Sequence, residues 1–478
     1  MGTESVIDRV NFFLQNARLA SAVFAELDQE HTDRIVRAVY RAGFENRVKL
    51  AKMACEETGL GVWEHKVIKN VVATQLVYED IKNLKTVGVI SENELEGIVE
   101  IAQPLGPILA ITPMTNPTST VLFKILLALK TRNPIIISPH RRALQCSVEA
   151  ARICYDAAMA EDAPEHCIQW ITESSREQTH GLMSHHDMAL ILATGGGSLV
   201  NAAYSSGTPA IGVGAGNVPV CVEKSADIPF AVSQVIYSKT FDNGTICASE
   251  QAVVVEKSIA QELKDEFIKQ GTYFVTDEEC AILEPIVFDL ERHLMNADIV
   301  GQSARTIAAK GGVEVPENTV LLMAERDAVG KQEPLSSEIL APVLALYVVD
   351  DFRSAINKCI DLNYHGGIGH TASIYSNDEE RIKQFSAQMN AGRIVVNTPS
   401  SQGAVGGIFN TLHPSMTLGC GSGGKNITTD NVTASHLLNI QRVARRRLNN
   451  KFLQVDINKY LDESNSVDDL EKEYHKNS

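Results

Sequence analysis

The sequence predicts an α/β protein built from two parallel-sheet domains. Three features carry that expectation. Short apolar runs alternate with helical stretches from about residue 100 to 220, and a second alternation of the same kind runs from about 241 to 400. Glycine-rich turns stand between them, as the connectors of such a fold require. A chain of 478 residues also exceeds what one hydrophobic core usually supports.

The elements follow in order. Over residues 5–85, apolar positions recur at intervals of three and four in "VIDRVNFFLQNARLASAVFAEL" and "IVRAVYRAGFENRVKLAKMACEE", which predicts helices. "GPILAIT" (Gly106–Thr112), "NPIIISP" (Asn133–Pro139), "CIQWIT" (Cys167–Thr172), "MALILAT" (Met188–Thr194) and "PAIGVG" (Pro209–Gly214) read as buried strands. Helical stretches such as Ser119–Lys130 and Ala143–Ala160 separate them, so the sheet is parallel with helices on both faces. The second series reads "AVVVE", helix "IAQELKDEFIKQ", "APVLALYVV", helix "FRSAINKCIDL", "TASIYS", a further helix and "RIVVN". The last stretch, ending "NKYLDESNSVDDLEKEYHKNS", is polar and acidic, either a docked arm or a mobile tail. Domain limits of 1–240, 241–430 and 431–478 follow.

Composition narrows the function classes. Hydrophobic residues make up 44% and charged residues 21%, ordinary values for a soluble globular protein. A net charge of −16 argues against nucleic acid as a partner, because phosphate binding needs basic surface. The basic run "RVARRR" (Arg442–Arg447) reads as a solvated helix face. The 9 cysteines form no CxxC pair and no cluster with histidine at zinc spacing, so neither a metal nor a disulfide framework is expected. A reducing cytoplasm is the expected compartment. "MGTESVIDRVNFF" carries charges throughout and does not read as a signal peptide. No apolar run reaches the roughly 20 residues of a membrane span, and Lys124 interrupts "VLFKILLALK".

One cysteine has an unusual setting. In "SKTFDNGTICASEQAVVV", Cys247 follows the turn signal Asp242-Asn243-Gly244 and precedes a buried strand. It either fills space in the core or is presented as a nucleophile. "ATGGGSLVNAAYSSG" places Thr194, Gly195, Gly196 and Gly197 between a strand and a helix. That is a tight turn, or a cradle for a pyrophosphate at a helix N-terminus. It is not a GxGxxG, and no acidic residue stands at the usual ribose distance. "GVGAGNVPV", which contains Gly214, is equally open by itself.

Taken together and in order, "ITPMTNPTSTVLFK", "LATGGGSLVNAAYSSGTPAIGVGAGN", "SKTFDNGTICASEQ", "GGIGHTASIYS" and "TLGCGSGG" resemble the aldehyde dehydrogenase superfamily. The likeness is strongest to its CoA-acylating branch, including the aldehyde dehydrogenase half of bifunctional aldehyde-alcohol dehydrogenases, and runs from about residue 5 to 445. Only the aldehyde half is expected here. The resemblance implies a Rossmann-like cofactor domain, a catalytic domain and a small oligomerisation arm. It implies a homo-oligomer, a dimer or a dimer of dimers, that uses NAD or NADP, with coenzyme A as co-substrate. Cys247 aligns with the nucleophile, whose reactive form is the thiolate in the cleft between domains. Asn116 falls where the family keeps an oxyanion donor, beside the Cys247 N–H. Glu338 matches the glutamate that binds the nicotinamide ribose. His370 matches a histidine of the acylating branch that would deprotonate an incoming thiol, its ordinary pKa lying near working pH. Thr194, Gly195, Gly196, Gly197 and Gly214 would line the cofactor site. The other cysteines, Cys420 included, are structural.

Three departures from the family's pattern shape the expectation. Hydrolytic relatives carry a water-activating glutamate where Gly212 stands, so the acyl group on Cys247 should await the thiolate of CoA. Their Lys-Pro-x-Glu segment reads Ser138-Pro139-His140-Arg141 here, and Arg141 is positioned to pair with the 2′-phosphate of NADP. The bifunctional enzymes' Gly-Ser-Trp-Gly-Gly-Asn is Gly421-Ser422-Gly423-Gly424-Lys425-Asn426. The resemblance implies a short-chain aldehyde, acetaldehyde first; Gly423 would open volume and Lys425 add a positive charge, which makes an anionic aldehyde such as sulfoacetaldehyde or succinate semialdehyde the alternative. The alternative is a repacked loop with Lys425 in solvent. From a different class, a catalytically silent structural or filament subunit is the competing reading.

Overall fold

The fold is described from a computed structural model covering residues 5–173 and 175–476. The expected N-terminal helices are present. Val6–Glu26 starts at a capping box, in which the Ser5 hydroxyl accepts the Asp8 N–H and the Asp8 carboxylate accepts the Ser5 N–H. Gln29–Glu45, Arg47–Thr58 and Trp63–Val71 follow, the third closed by Gly59 in the left-handed region (φ 69°).

Two units divide the described chain. The smaller comprises Lys85–Gln103 and the residues from Asn439 onward. Here β1 (Gly88–Asn93) and β2 (Ile98–Pro104) form an antiparallel hairpin, and β17 (Leu438–Ala444) joins on the β2 side. The basic run therefore begins on a strand rather than on the expected helix face: its arginines stay exposed, Arg442 pairs with Glu100 at 3.0 Å, and Arg447 donates to the Glu94 carbonyl. The polar C-terminal stretch folds into short helices, Asn450–Leu453, Ile457–Leu461 and Val467–Tyr474.

The larger unit holds both parallel sheets. The first contains β3 (Ile108–Ile111), β4 (Ile135–Ser138), β5 (Ile168–Trp170), β6 (Leu190–Thr194) and β7 (Ala210–Val213) in the order β5-β4-β3-β6-β7. All neighbours are parallel, and Ile111 registers with both Ser138 and Ala193, so the strands end level. The order reverses beside β3, which puts a switch point at the C-terminal edge, where ligands bind in open sheets of this kind. Pro117–Lys130 packs against this sheet and is buried at every position, as a helix apolar nearly all round must be. Its Lys124 is satisfied by donating to the carbonyls of Ile111 (2.7 Å), the last residue of β3, and Leu192 (2.8 Å), in the middle of β6. Burial pulls that amine down to about 7.

The second sheet has the order β10-β13-β14-β9-β8-β15-β16. Its strands are β8 (Val218–Val222), β9 (Glu250–Glu256), β10 (Thr272–Phe274), β13 (Leu321–Glu325), β14 (Val343–Val349), β15 (Gly369–Tyr375) and β16 (Ala391–Val396), all parallel. A short hairpin, β11 (Phe288–Asp289) with β12 (Leu294–Met295), interrupts the series. The chain leaves the first sheet at β7 and enters the second at β8. The sheets thus divide at residues 214–217, before the expected limit of 240. The reason lies in β8 itself, whose five residues are all buried between β9 and β15.

Phe123, fully buried where Pro117–Lys130 meets the first sheet, reports on this packing. Phe123→Ala should lower stability by about 3–5 kcal/mol in urea denaturation, the usual cost of an aromatic cavity. A loss below about 1 kcal/mol would show that the helix does not anchor the sheet.

Candidate active site

The helix Ile228–Thr240 breaks at the turn Phe241–Gly244. Asp242 (φ 50°), Asn243 (φ 51°) and Gly244 (φ 76°) are left-handed in succession. Asp and Asn enter that region at less cost than other side chains, which is why "DNG" stands here. The turn delivers Cys247, half-buried, ahead of β9. Its Sγ lies 3.3 Å from Nε2 of His370, a buried residue of β15. Nδ1 of His370 is 2.9 Å from the Thr371 hydroxyl, to which Arg393 of β16 also donates at 3.5 Å. Arg393 is itself buried and gives its remaining N–H groups to the carbonyls of Thr429 (3.0 Å) and Gly419.

These surroundings change the expected protonation states. Burial, and then the charge of Glu338, push the Cys247 thiol up to about 12, with Arg393 in partial opposition. Burial and Arg393 push His370 down to about 3. Both shifts favour a thiol facing a neutral imidazole at rest, so the thiolate that attacks has to be formed by proton transfer. His370 does not titrate near neutrality: it is buried against Cys247. With Nδ1–H donating to Thr371, Nε2 is free to accept the thiol proton.

Asn116 precedes Pro117, the first residue of its helix. Its Nδ2 donates to the Thr245 carbonyl at 3.2 Å, two residues before Cys247. Its Oδ1 accepts from Lys69 at 2.6 Å. Lys69 also donates to Thr245 Oγ1 (3.0 Å) and to Asp242, whose carboxylate takes Lys66 (2.9 Å) and the Val62 N–H (2.7 Å) as well. Burial pulls Lys69 down to about 8 against the opposing pull of Asp242. Burial works to raise Asp242, but Lys69 and Lys66 prevail and hold it below the usual carboxylate range. Sequence reading missed Lys66 and Lys69, together with Thr371 and Arg393. The available signal was two lysines three apart in "WEHKVIKNVV", a spacing that puts both on one helix face.

The C-terminal edge of the first sheet gathers Ser138, Pro139, His140 and Arg141 after β4 with Thr194, Gly195, Gly196 and Gly197 after β6. A dinucleotide fits this edge. The Thr194 hydroxyl is buried with no hydrogen-bond partner among the described residues. A Cβ on Gly196, Gly197 or Gly214 would meet only open space, so bare backbone is exposed there. The helix Gly197–Tyr204 opens at the same point and leaves its first N–H groups without intrahelical partners. Arg141 is exposed, and His140 is held down by burial and by Arg141 and Arg142. Glu338 accepts the Gly216 N–H at 2.8 Å, and burial raises it to about 7. A Cβ on Gly216 would collide with the Cys247 carbonyl, so this second glycine turn is pressed against the nucleophile loop.

A sequence model of the aldehyde dehydrogenase family matches residues 4–413. The chain belongs to that family. It is 47% identical over 438 residues to the aldehyde-alcohol dehydrogenase of Streptococcus pneumoniae, covering 90% of this chain and 50% of that one. It therefore spans about half the length of such relatives. A solved acetylating aldehyde dehydrogenase from Geobacillus thermoglucosidasius is 46% identical with a TM-score of 0.90, covering 93% of this chain and 97% of that chain. A propionaldehyde dehydrogenase from Rhodopseudomonas palustris, solved with bound CoA and an acylated cysteine, is 27% identical with a TM-score of 0.83. That match covers 91% of this chain and 97% of that chain.

Two positions singled out against other aldehyde dehydrogenases now have geometry. Gly212 lies in β7, and a Cβ there would come 2.6 Å from Val200 and 3.0 Å from the Tyr204 hydroxyl. Tyr204 donates to the Gly212 carbonyl (2.9 Å) and accepts its N–H (3.2 Å), while Asn426 donates to the same carbonyl (2.8 Å). Gly423 does not open the expected volume: a Cβ would sit 2.5 Å from Ile368 and within 3.5 Å of Asn390. Lys425 is exposed, with no ion pair among the described residues, so the repacked loop is what the structure contains. Among the described residues, His185, His186 and Asp187 bring ligand atoms within 4.8 Å of one another, but they precede β6, at its other end from the glycine turn.

The resting thiol has a direct readout. Iodoacetamide labelling of Cys247 in the free protein, followed by peptide mass spectrometry, should accelerate about tenfold per pH unit up to about pH 9. A plateau below about pH 8 would show that the thiolate is already formed.

Proposed function

We propose that the protein is a reversible CoA-acylating aldehyde dehydrogenase that oxidises a short-chain aldehyde, acetaldehyde foremost, to its acyl-CoA with NAD or NADP. One observation carries this reading. A cysteine thiol faces a neutral histidine, and the position that holds the water-activating carboxylate in hydrolytic relatives is a glycine packed under Val200 and Tyr204. The names of the acetylating relative and of the structure holding CoA and an acylated cysteine agree with it. They give no support to the silent structural subunit.

In this reading His370 Nε2 accepts the Cys247 proton as Sγ adds to the aldehyde carbon, and Nδ1–H stays on Thr371. Charge develops on the carbonyl oxygen, which Asn116 Nδ2 and the Cys247 N–H receive. Arg393, buried two bonds away through Thr371, opposes charge on the imidazole and favours return of the proton. When bound, the nicotinamide supplies the hydride acceptor that leaves a thioester on Cys247. Thr194, Gly195, Gly196, Gly197, Gly214, Ser138, Pro139, His140 and Glu338 would hold the dinucleotide, with Arg141 facing a 2′-phosphate if NADP is used. The CoA thiolate then attacks the thioester, and transfer between thiols is close to balanced, so the reaction runs in both directions.

The substrate class follows from the walls. A small pocket beside the Cys247 loop is lined mainly by apolar side chains, Val72, Phe241, Ile246 and Val405 among them, together with Lys69 and Gln402. The apolar walls suit a short alkyl group, and neither Gly423 nor Lys425 lines that pocket. For assembly we infer a homo-oligomer, since the edge strands β1 and β17 of the smaller unit are mostly exposed. For location we infer the cytoplasm, since all nine cysteines are free. No helix among the described residues is long and apolar enough to cross a membrane.

Stopped-flow absorbance tests the acyl acceptor. Without CoA, reduced cofactor should appear as a burst of about one equivalent per site with little steady state; adding CoA should restore turnover and yield acyl-CoA. Rapid CoA-independent release of free acid would overturn the proposal. Cys247→Ser should remove at least about 99% of oxidation while cofactor still binds, measured by fluorescence titration, because a serine hydroxyl ionises far less readily than a thiol.

A further inference from the structure

Lys69 Nζ is buried and its three donors are all engaged, by Asn116 Oδ1, Thr245 Oγ1 and the Asp242 carboxylate. An ammonium group has no acceptor. The atom of the Asn116 amide that faces it is therefore the oxygen, and the amide cannot flip while Lys69 is in place. The orientation that follows points Nδ2 toward the loop of Cys247, where it now rests on the Thr245 carbonyl and the Thr115 hydroxyl, both at 3.2 Å. These are long bonds, readily exchanged for a stronger acceptor. A cation on Oδ1 also draws electron density through the amide and makes its N–H groups better donors. Among the described residues the Cys247 N–H gives no hydrogen bond to another residue, leaving two donors for one oxygen.

We propose that Lys69 is a positioning residue for the oxyanion site: it fixes and polarises the Asn116 amide, and Asp242 anchors it against both Lys66 and the nucleophile turn. The proposal rests on the reading that Asn116 receives the developing oxyanion. It gives a reason for the left-handed conformation of Asp242. Asp242 needs that conformation to reach Lys66, Lys69 and the Val62 N–H at once.

A double-mutant comparison of steady-state aldehyde oxidation with CoA separates the two ideas. Asn116→Ala alone should lower kcat about 10²–10³-fold. Lys69→Met alone should lower kcat about 10–100-fold with KM for the aldehyde within about threefold, because the loss is confined to the transition state. Combined, the two should be no slower than Asn116→Ala within about twofold, since the lysine acts through the amide. An unchanged kcat in Lys69→Met, or a double variant slower by the full Lys69→Met factor, would overturn the role of Lys69. An unchanged kcat in Asn116→Ala would instead remove the reading on which the role rests. Should Lys69→Met fail to fold with Asp242 underpaired, Lys69→Met is made with Asp242→Asn, and the same factors are read against Asp242→Asn alone.

Discussion

A carboxylate with almost no exposure, that of Asp242, sits between the two ammonium groups of Lys66 and Lys69. Charges taken from water at this depth cost several kcal/mol each unless every donor and acceptor finds a partner. Here they do. The lysines' spare N–H groups go to the Thr115 carbonyl, Asn116 Oδ1 and the Thr245 hydroxyl, and the spare carboxylate oxygen takes the Val62 N–H. Those partners belong to three separate pieces of chain: the helix Trp63–Val71, the loop that ends β3, and the turn that presents Cys247. Removing Asp242 would leave two buried ammonium groups uncompensated, and removing either lysine would cut one of the ties between these pieces of chain. The site is thus fixed by this buried ion-pair network before any substrate arrives.

The parallel sheets supply the other half of the geometry. Level strand ends in the first sheet leave an edge of bare glycine backbone beside an unsatisfied threonine hydroxyl. Adjacent strands of the second sheet, β15 and β16, stack His370, Thr371 and Arg393 in a line toward Cys247. In the proposed function, binding and bond-making would therefore come from different sheets. The contact at Gly216, where only hydrogen fits against the Cys247 carbonyl, brings them into register.

Strands and helices were readable in the sequence wherever an apolar run was long or its period clear, as in β3 to β7 and the helix Pro117–Lys130. Cys247, Asn116 and the glycine turn were readable only as an ordered set, because each alone has an ordinary structural explanation. What escaped was whatever depends on depth. The thiol of Cys247 and the ring of His370 have unremarkable neighbours in sequence, and it is burial first, then Glu338 and Arg393 brought in by the fold, that moves their proton equilibria apart. Lys69 and Arg393 went unnoticed for the same reason. The "RVARRR" run misled in the opposite sense: its charges are exposed, as read, but on a strand edge where period-two and helical patterns of arginine cannot be told apart.

The crowding at Gly212 has an evolutionary consequence. Tyr204 and Val200 come from the helix Gly197–Tyr204, which begins at the glycine turn on the cofactor edge, and the Tyr204 hydroxyl closes both main-chain groups of Gly212. A lineage with this arrangement cannot acquire a water-activating carboxylate at that position by one substitution. The helix would have to give up a tyrosine and a branched aliphatic side chain first, and each loss would disturb the strand beside it. Under the proposed function, the choice between thiol and water as acyl acceptor would rest on several side chains together rather than on one.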